Sequence, residues 1–490
     1  MTHKRINVLK LFGICTFLLV GLVNLGTGQA FQIKQDAKAA SGKLGVNANF
    51  VDNDRISQTL SSVFWFGELD ATQNHIDIRV AYNTNELQFF ASVFDRELFF
   101  DEAAVESRFD QYDTVSIYLK PKGSSQTFLF KSQLFNAKDQ LDYRIAYRDS
   151  GSGFVRDDSI SFTGPTNDFP NLVWYGESLN NESTDPRDQD RGWYTRFNIP
   201  FSEIGMPTPE TGDVWEIAIV GHDRDDAAGN VVNSQIWPPT AAVTDTASWG
   251  ELRFGRTADD SPFATQTGSI SLRHGVNGVD IIDAQVGGGT NCGIDYDPDF
   301  FNGWATHNFN GDAQINVQNQ MNTEDWPCFS KILISVPVSS IPAFKEIISA
   351  ELTMFQFGNA GGGAFDPAVG SNLQIMTVDS GFDEATVNWI NSPSVVEHID
   401  EVWVDPINNA NNFANPPIPV TWDVKSAVKQ AIADGERMNL VIYSADWALH
   451  SGKYFYSSDA NDVDHRPLVN ITYGDAEAPS NFVYLPLTVR

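Results

Sequence analysis

Two tryptophans in irregular segments could provide flat apolar surfaces for stacking against sugar rings. Trp174 lies in the segment FPNLVWYG, and Trp237 precedes Pro-Pro in a loop. Asp223 and Arg224 are close to Trp237 in sequence, and their side chains could hydrogen-bond to hydroxyl groups. Aromatic faces with a few polar groups beside them are what binding of a sugar ring requires. These four residues are the predicted ligand-binding set, and packing of the rings beneath loops is the alternative.

Acidic loops in the sequence could hold a hard cation. Asp295, Asp297 and Asp299 form an oxygen-rich loop suited to Ca²⁺, although the spacing is not that of an EF-hand. Two further acidic clusters are equally suitable: Asp185, Asp188 and Asp190, and Asp223, Asp225 and Asp226. Ca²⁺ is the only cofactor that these acidic clusters suggest. An exposed acidic loop without a metal is the alternative for each cluster.

Sequence motifs for catalysis are absent. The chain has no HExxH pair, no GxSxG elbow and no GxxxxGK[ST] loop. Its 63 acidic residues make chance pairs of carboxylates inevitable, so such pairs do not indicate a glycosidase. An enzyme is therefore not expected, while an accessory role in carbohydrate breakdown stays open.

The N-terminus and the charge predict an exported protein. Lys4, Arg5 and Lys10 flank an apolar run at residues 11–23, and small residues precede Phe31, so residues 1–30 are predicted to be a cleaved signal peptide. The run is short for a bilayer of about 30 Å, and no membrane span is expected after cleavage. A net charge of −31 disfavours nucleic acid as a partner. An extracellular or cell-surface location is expected.

Cys292 and Cys328 are the two cysteines that remain beyond residue 30. In an oxidising compartment, two cysteines are most simply explained by one disulfide. Two buried free thiols are the alternative.

Strand signals dominate the chain and predict an all-β fold. Ile76, Ile78, Val80 and Tyr82 alternate with more polar residues, a period of two that predicts a strand with one buried face. Short strands separated by turn residues describe sandwiches or barrels. One helix is predicted, capped by Asp423, with an apolar stripe from Val424 to Ile432 and a stop at Gly435.

The predicted organisation is two tandem β-sandwich, jelly-roll-like domains, the second with one amphipathic helix. A polar, Pro-bearing stretch at residues 256–266, extending to about residue 268, is predicted to be the linker. The first domain then covers residues 31–255 and the second residues 267–474. Residues 475–490 form a tail that ends in YLPLTVR, which is similar to short tails on some exported bacterial proteins.

Residues 45–256 resemble family 9 carbohydrate-binding modules and their DOMON-like relatives. The resemblance rests on a strand-turn-strand ending in Phe-Asp at Asp95 and on the segments YDTVSIYL, GWYTRFNIP, GDVW, WPP and WGELRF. Relatives usually carry an acid before Ile-Pro, where this chain has Arg196. DOMON-like sandwiches can also hold haem, for which His75 and Met206 are the nearest candidate ligands.

Residues 267–474 resemble DNRLRE-type domains, also described as family 96 carbohydrate-binding modules. This resemblance rests on the segments KILI, IISAEL, FDEATVNWINSP, the TWDV helix start and RPLVNITY. In this resemblance, Asp383 and Glu384 precede a strand through Thr386, Val387 and Trp389. The resemblances together imply a secreted, non-catalytic polysaccharide-binding protein. The alternative is a structural or adhesive protein that contacts cell-surface components without a specific sugar site.

Overall fold

The structure is a computed structural model. It describes residues 43–52, 58–69, 73–101, 106–134, 144–163, 190, 192–228, 232–256, 264–288, 304–319, 329–361, 367–408, 411–446 and 451–476. These residues belong to one compact unit, Lys43–Arg490. The predicted signal peptide, Trp174, the cysteine pair, the loop at Asp295, Asp297 and Asp299, and the YLPLTVR tail lie outside the described residues.

The described elements are almost all strands, as the sequence predicted. Those of the first half are β1 (Gly45–Phe50), β2 (Ser62–Phe66), β3 (His75–Tyr82), β4 (Glu86–Phe94), β5 (Thr114–Lys120), β6 (Phe128–Gln133), β7 (Arg144–Asp149), β8 (Phe154–Arg156), β9 (Trp193–Pro200), β10 (Val214–Arg224), β11 (Val232–Trp237) and β12 (Gly250–Phe254). Those of the second half are β13 (Ala264–Arg273), β14 (Ile282–Gly287), β15 (Gln314–Val317), β16 (Ser330–Val336), β17 (Glu346–Asn359), β18 (Ser371–Val378), β19 (Val395–Val404), β20 (Phe413–Asp423), the helix α1 (Lys425–Asp434), β21 (Met438–Ser444), β22 (Lys453–Tyr456) and β23 (Leu468–Ala476).

The first half is organised around a strand that changes sheets. The strand order is β8-β7-β6-β5-β10-β12-β1-β3-β4-β9, with β11 on β10 and β2 on β3. The first part of β1, from Gly45, pairs in parallel with β12, and Asn49 and Phe50 pair in parallel with β3. The remaining pairs are antiparallel, so β1 joins two antiparallel sheets at a corner.

The second half is a sandwich of two antiparallel sheets. One sheet has the order β13-β23-β17-β22-β15, with β20 on β17, and the other has the order β14-β16-β21-β18-β19. Trp422 of β20 lies in the core between them, and its indole NH donates to Leu373 O of β18 at 2.9 Å. The predicted all-β sandwich class is therefore confirmed.

The helix α1 forms where the sequence predicted it. Ala427, Val428 and Ala431 are its buried residues, and Gly435 ends it in the left-handed region at φ 71°. The N-cap position is Val424, one residue later than predicted. Asp423 still accepts a hydrogen bond from Lys425 N at 2.8 Å, so its carboxylate satisfies one of the free amides of the first turn. No helix among the described residues combines the length and the apolar character needed to cross a bilayer.

Two local predictions need correction. The residues Thr386, Val387 and Trp389 do not form a strand; they follow a turn in which Val387 N donates to Asp383 O at 2.9 Å. Asp383 also accepts from Ala385 N through its side chain, and this local bonding competes with strand pairing. The strand β13 begins at Ala264, inside the stretch predicted to be a linker. The division into two domains stays a prediction.

The strand β3 is buried on both faces, not on one. All eight residues are buried, including Asp77 and Arg79. The second half covers the polar face: Arg79 Nε donates to Ala445 O at 3.1 Å, and Asn319 Nδ2 contacts Asp77 Oδ2 at 3.4 Å. A period of two shows that the faces differ in chemistry, but it does not show that the polar face meets solvent.

Candidate functional site: a buried carboxylate centre

Three aspartates at the ends of three different strands of the first half meet in what we call the carboxylate centre: Asp95, Asp113 and Asp223. Asp95 follows β4, Asp113 precedes β5, and Asp223 lies near the end of β10. One oxygen from each carboxylate lies within 4.8 Å of the others. The three side chains are 1%, 0% and 2% exposed. Burial of three acids together requires compensation by hydrogen bonds, protons or a cation.

Backbone amides hold the carboxylates in place. Asp113 Oδ2 accepts from Phe99 N at 2.6 Å, and Asp113 Oδ1 accepts from Arg224 N at 3.0 Å. Asp95 Oδ1 accepts from Glu97 N at 3.0 Å. The centre therefore ties the loop after β4 to the start of β5 and to the end of β10.

Asp190 completes the acidic surroundings. Its Oδ2 accepts from Leu98 N at 3.0 Å, and its own amide donates to Arg96 O at 2.9 Å. Asp190 Oδ1 and Asp95 Oδ2 are buried and have no hydrogen-bond partner among the described residues. Such oxygens are uncommon in folded proteins, and an ion is one of the partners that explains them.

Electrostatic repulsion within the centre is strong. Burial raises the pKa of Asp95 well above its usual range, and the charges of Asp113, Asp225 and Asp190 raise it further. Burial and the charge of Asp223 have the same effect on the pKa of Asp113. Burial raises the pKa of Asp190 to about 8. These raised pKa values favour the neutral, protonated forms of Asp95, Asp113 and Asp190 unless a positive charge replaces the proton.

The donor set fits a hard divalent cation. Ca²⁺ takes six to eight oxygen ligands at 2.3–2.6 Å, and carboxylates are its usual charged ligands. Asp95, Asp113 and Asp223 would each supply one oxygen, and the buried Oδ1 of Asp190 is a further candidate. The three grouped side chains are all carboxylates, whereas thiolates or imidazoles would favour softer metals.

Sequence reasoning found part of this centre. Asp223 and Asp225 were one of the alternative metal clusters, and Asp190 belonged to another. Asp95 and Asp113 were missed because each stands alone in sequence. The available signal was an acid placed at the end of an apolar strand, in Phe94-Asp95 and in Asp113-Thr-Val.

Trp237 is a core residue, which corrects the expectation of an exposed stacking ring. It is 1% exposed, and its ring centroid lies 4.9 Å from that of Phe64. A Cβ on Gly250 would come within 2.8 Å of the Trp237 ring, so the indole covers that glycine closely. The ring belongs to the last residue of β11 and turns inward before Pro238.

Asp223 and Arg224 do not flank Trp237, which is a second correction. In the β10–β11 hairpin, Trp237 pairs with Ile219, whereas Arg224 pairs with Val232 at the other end. The Arg224 guanidinium lies over the Tyr112 ring, 4.4 Å from its centroid. Its nitrogens donate to two backbone carbonyls, Asp226 O at 2.7 Å and Ala227 O at 2.8 Å. Arg224 is therefore a buried structural residue of the loop beside the carboxylate centre.

Comparisons with known proteins give weak similarities only. No protein-family model matches this chain, and no curated protein sequence is significantly similar to it. Among solved structures, a protein assigned to carbohydrate binding from Bacteroides uniformis ATCC 8492 aligns with 43% of this chain and 99% of its own, at 10% identity and a TM-score of 0.30.

Two structures of a family 9 carbohydrate-binding module from Caldicellulosiruptor kristjanssonii also align. The complex with cellotriose covers 46% of this chain and 100% of its own, at 14% identity and a TM-score of 0.26. The complex with glucose covers 44% and 100%, at 16% identity and a TM-score of 0.26. At these scores the alignments establish neither a common fold nor a common function.

Proposed function

We propose that this chain is an exported, non-catalytic polysaccharide-binding protein, and that its carboxylate centre holds Ca²⁺. The observation that carries the proposal is the convergence of the segments that resemble family 9 modules. The Phe-Asp segment supplies Asp95, and YDTVSIYL supplies Asp113 of the same centre. The Trp237-Pro-Pro segment packs on Gly250 of WGELRF. Segments that are far apart in sequence thus lie in contact in the structure. This supports the resemblance to family 9 modules beyond chance matches of short segments.

The bound ion would have a structural role. Ca²⁺ would supply positive charge at the point where the loop after β4, the start of β5 and the end of β10 meet. Asp95, Asp113 and Asp223 would hold it and would be ionised as a result. Since the ion binds only the folded arrangement, its binding free energy would add to the stability of the first half.

Burial also supports a non-catalytic role for this centre. A glycosidase needs two carboxyl groups that flank an accessible glycosidic bond. Asp95, Asp113 and Asp223 are at most 2% exposed, and the carboxylates of Asp95 and Asp113 accept hydrogen bonds from backbone amides, so a sugar chain could not reach them.

Polysaccharide binding is tested with the purified full-length secreted protein. Depletion assays on insoluble neutral and acidic polysaccharides, together with a glycan array, should show saturable binding to at least one glycan without release of reducing sugar. Release of reducing ends would overturn the non-catalytic assignment. Absence of binding to every glycan would favour the structural or adhesive alternative.

The cation site is tested by thermal unfolding in EDTA and in excess Ca²⁺. Ca²⁺ at about 100 times its dissociation constant should stabilise the protein by about 2.7 kcal/mol. Asp113→Asn should abolish this Ca²⁺-dependent shift, because the amide is a weaker and neutral ligand. Asp464→Asn, which changes an acid whose side chain is 84% exposed, is the matched control and should retain the shift. Equal melting curves with EDTA, Ca²⁺ and Mg²⁺ would exclude the site.

A further inference from the structure

Aromatic side chains cover part of the outer side of the six-stranded sheet in the second half. We call this surface the aromatic face. It consists of Phe355, Phe357, Phe413, Tyr454, Tyr456 and His465. The alternation along β17 explains its origin, because Leu352 and Met354 are fully buried in the core while Phe355 and Phe357 point to the opposite side.

The face is built across three neighbouring strands. Gly358 of β17 pairs with Tyr454 of β22 on one side and with Phe413 of β20 on the other. A Cβ on Gly358 would lie 3.0 Å from the Tyr454 ring and 3.2 Å from the Phe413 ring. Both rings therefore pack against the backbone of Gly358, and the surface of the sheet is broad and flat at this point.

Two pairs of rings in the face are close to parallel. Phe357 and Phe413 have centroids 6.1 Å apart with an interplanar angle of 16°. Tyr456 and His465 are 5.3 Å apart, also at 16°. Phe357 and Tyr456 connect these pairs, with centroids 4.7 Å apart and ring planes tilted by 36°. The surface is thus larger than a single ring and suits a chain of sugars better than one monosaccharide.

Phe413 is the most exposed ring of the face. It is 55% exposed, whereas Phe357 beneath it is 4% exposed. Phe355, Tyr454, Tyr456 and His465 are partly exposed. An exposed ring on a buried aromatic support is rigid and loses little entropy when it binds a partner.

Polar groups border the face. Arg273 lies over the Phe355 ring, 5.7 Å from its centroid, and its Nη1 donates to Asp464 Oδ1 at 3.1 Å. His465 contacts Asp462 at 3.4 Å. Hydrogen-bond donors and acceptors therefore lie side by side at this edge, and both can bind hydroxyls.

We infer that the aromatic face binds a neutral polysaccharide through the apolar faces of consecutive pyranose rings. The inference rests on the proposed function and gives it a site and a ligand class. Sugar rings present C–H surfaces that stack on flat aromatic rings, while the bordering Arg273, Asp464 and His465 meet the hydroxyls. A polyuronate or sulfated glycan is disfavoured because the chain has a net charge of −31 and acids lie at the edge of the face.

The test compares variants of the full-length protein on insoluble neutral polysaccharides, with alginate and pectate as acidic counterparts. Phe413→Ala should weaken binding to the neutral glycan at least tenfold. Phe413→Leu keeps an apolar side chain over Gly358 but has no ring, so it should also weaken binding even if the alanine variant is poorly folded. Trp403→Ala removes an aromatic residue that is 51% exposed on the other sheet, and it should bind as wild type does.

The possible outcomes distinguish failure of the aromatic face as the binding site from failure of the proposed function. Loss of binding in both Phe413 variants, with circular dichroism unchanged for Phe413→Leu, supports the inference. Full binding by folded Phe413 variants overturns the face as the site while the proposed function stands. Preferential binding to alginate or pectate overturns the neutral ligand class. Absence of glycan binding by the wild type defeats the proposed function itself. Self-association that is lost in Phe413→Leu would identify the face as a contact between two copies.

Discussion

Asp77 and Tyr443 are hydrogen-bonded although 366 residues separate them in sequence. The phenolic oxygen of Tyr443 in β21 donates to Asp77 Oδ2 in β3 at 2.8 Å, and both residues are fully buried. His75 Nε2 binds the other oxygen of Asp77 at 3.0 Å. Burial opposes ionisation of Asp77, but the hydrogen bond from His75 and the nearby positive charges outweigh it and lower its pKa. An ionised carboxylate thus joins the two halves of the chain.

Tyr443→Phe should reduce the free energy of unfolding by about 1.5–3 kcal/mol, because it removes a donor to a buried charged acceptor. Denaturant titration followed by fluorescence measures the change. Tyr456→Phe is the control, since its partly exposed hydroxyl should matter by less than about 0.5 kcal/mol. Wild-type stability in Tyr443→Phe would show that the junction opens before global unfolding and that the halves unfold separately.

Lys331 lies in an aromatic cage at the same junction. Its Nζ is 3.7 Å from the ring centroid of Trp65, 3.6 Å from that of Trp389 and 5.1 Å from that of Tyr443. The side chain is fully buried, and Nζ has no hydrogen-bond partner among the described residues. Burial lowers the pKa of Lys331 to about 7, and the charge of Asp77 opposes that effect.

This lowered pKa predicts a pH-dependent stability. Between pH 7 and the ordinary lysine pKa of 10.5, the unfolded chain binds a proton at Lys331 that the folded chain has lost. Stability should therefore rise with pH across this window, and the penalty for burying the charge is complete below pH 7.

Lys331→Met should remove this dependence and should be the more stable protein below pH 7, by about 1–4 kcal/mol. Urea unfolding at pH 6, 7.5 and 9 measures both effects. Lys345→Met, at a partly exposed ion pair with Asp475, should follow the wild-type pH profile. Parallel profiles for wild type and Lys331→Met would show that the aromatic rings compensate for burial and keep the pKa of Lys331 near its ordinary value.

Cys292 and Cys328 are predicted to form a disulfide. Mass spectrometry of the non-reduced protein should find no alkylatable thiol and a mass two hydrogens below that of the reduced form. Two alkylated cysteines under denaturing conditions would contradict the prediction.

Local features of this fold could be read from the sequence, whereas long-range ones could not. The stop at Gly435 and the presence of the strand β3 depend on neighbouring residues, and the structure confirms both. The prediction that β3 has only one buried face was wrong. The burial of Asp77 and Arg79 depends on residues more than two hundred positions away, such as Asn319. Periodicity carries no information about such partners, so β3 was expected to have a solvent face.

The residues of the candidate sites also divide into those that local sequence identifies and those that depend on distant residues. Asp223 stands in an acidic run and could be identified, but Asp95 is a single acid whose role depends on which strands become neighbours. Phe413 was not recognised because the sequence of residues 408–419, NNANNFANPPIP, predicts a Pro- and Asn-rich loop, whereas β20 begins at Phe413. Only the register of β20 against β17 places its ring over Gly358.

Trp237→Ala should destabilise the protein and not act on glycan binding directly. Its ring packs against Phe64 and Gly250 in the core, and truncation of a buried aromatic residue typically costs about 3–5 kcal/mol. Thermal unfolding should show a markedly lower Tm, while the fraction that stays folded should bind glycan with wild-type affinity. Trp403→Ala, at a half-exposed ring, should leave the Tm nearly unchanged. If Trp237→Ala had a normal Tm but bound glycan more weakly, the sugar site would lie at the β10–β11 hairpin. That result would argue against the aromatic face as the site.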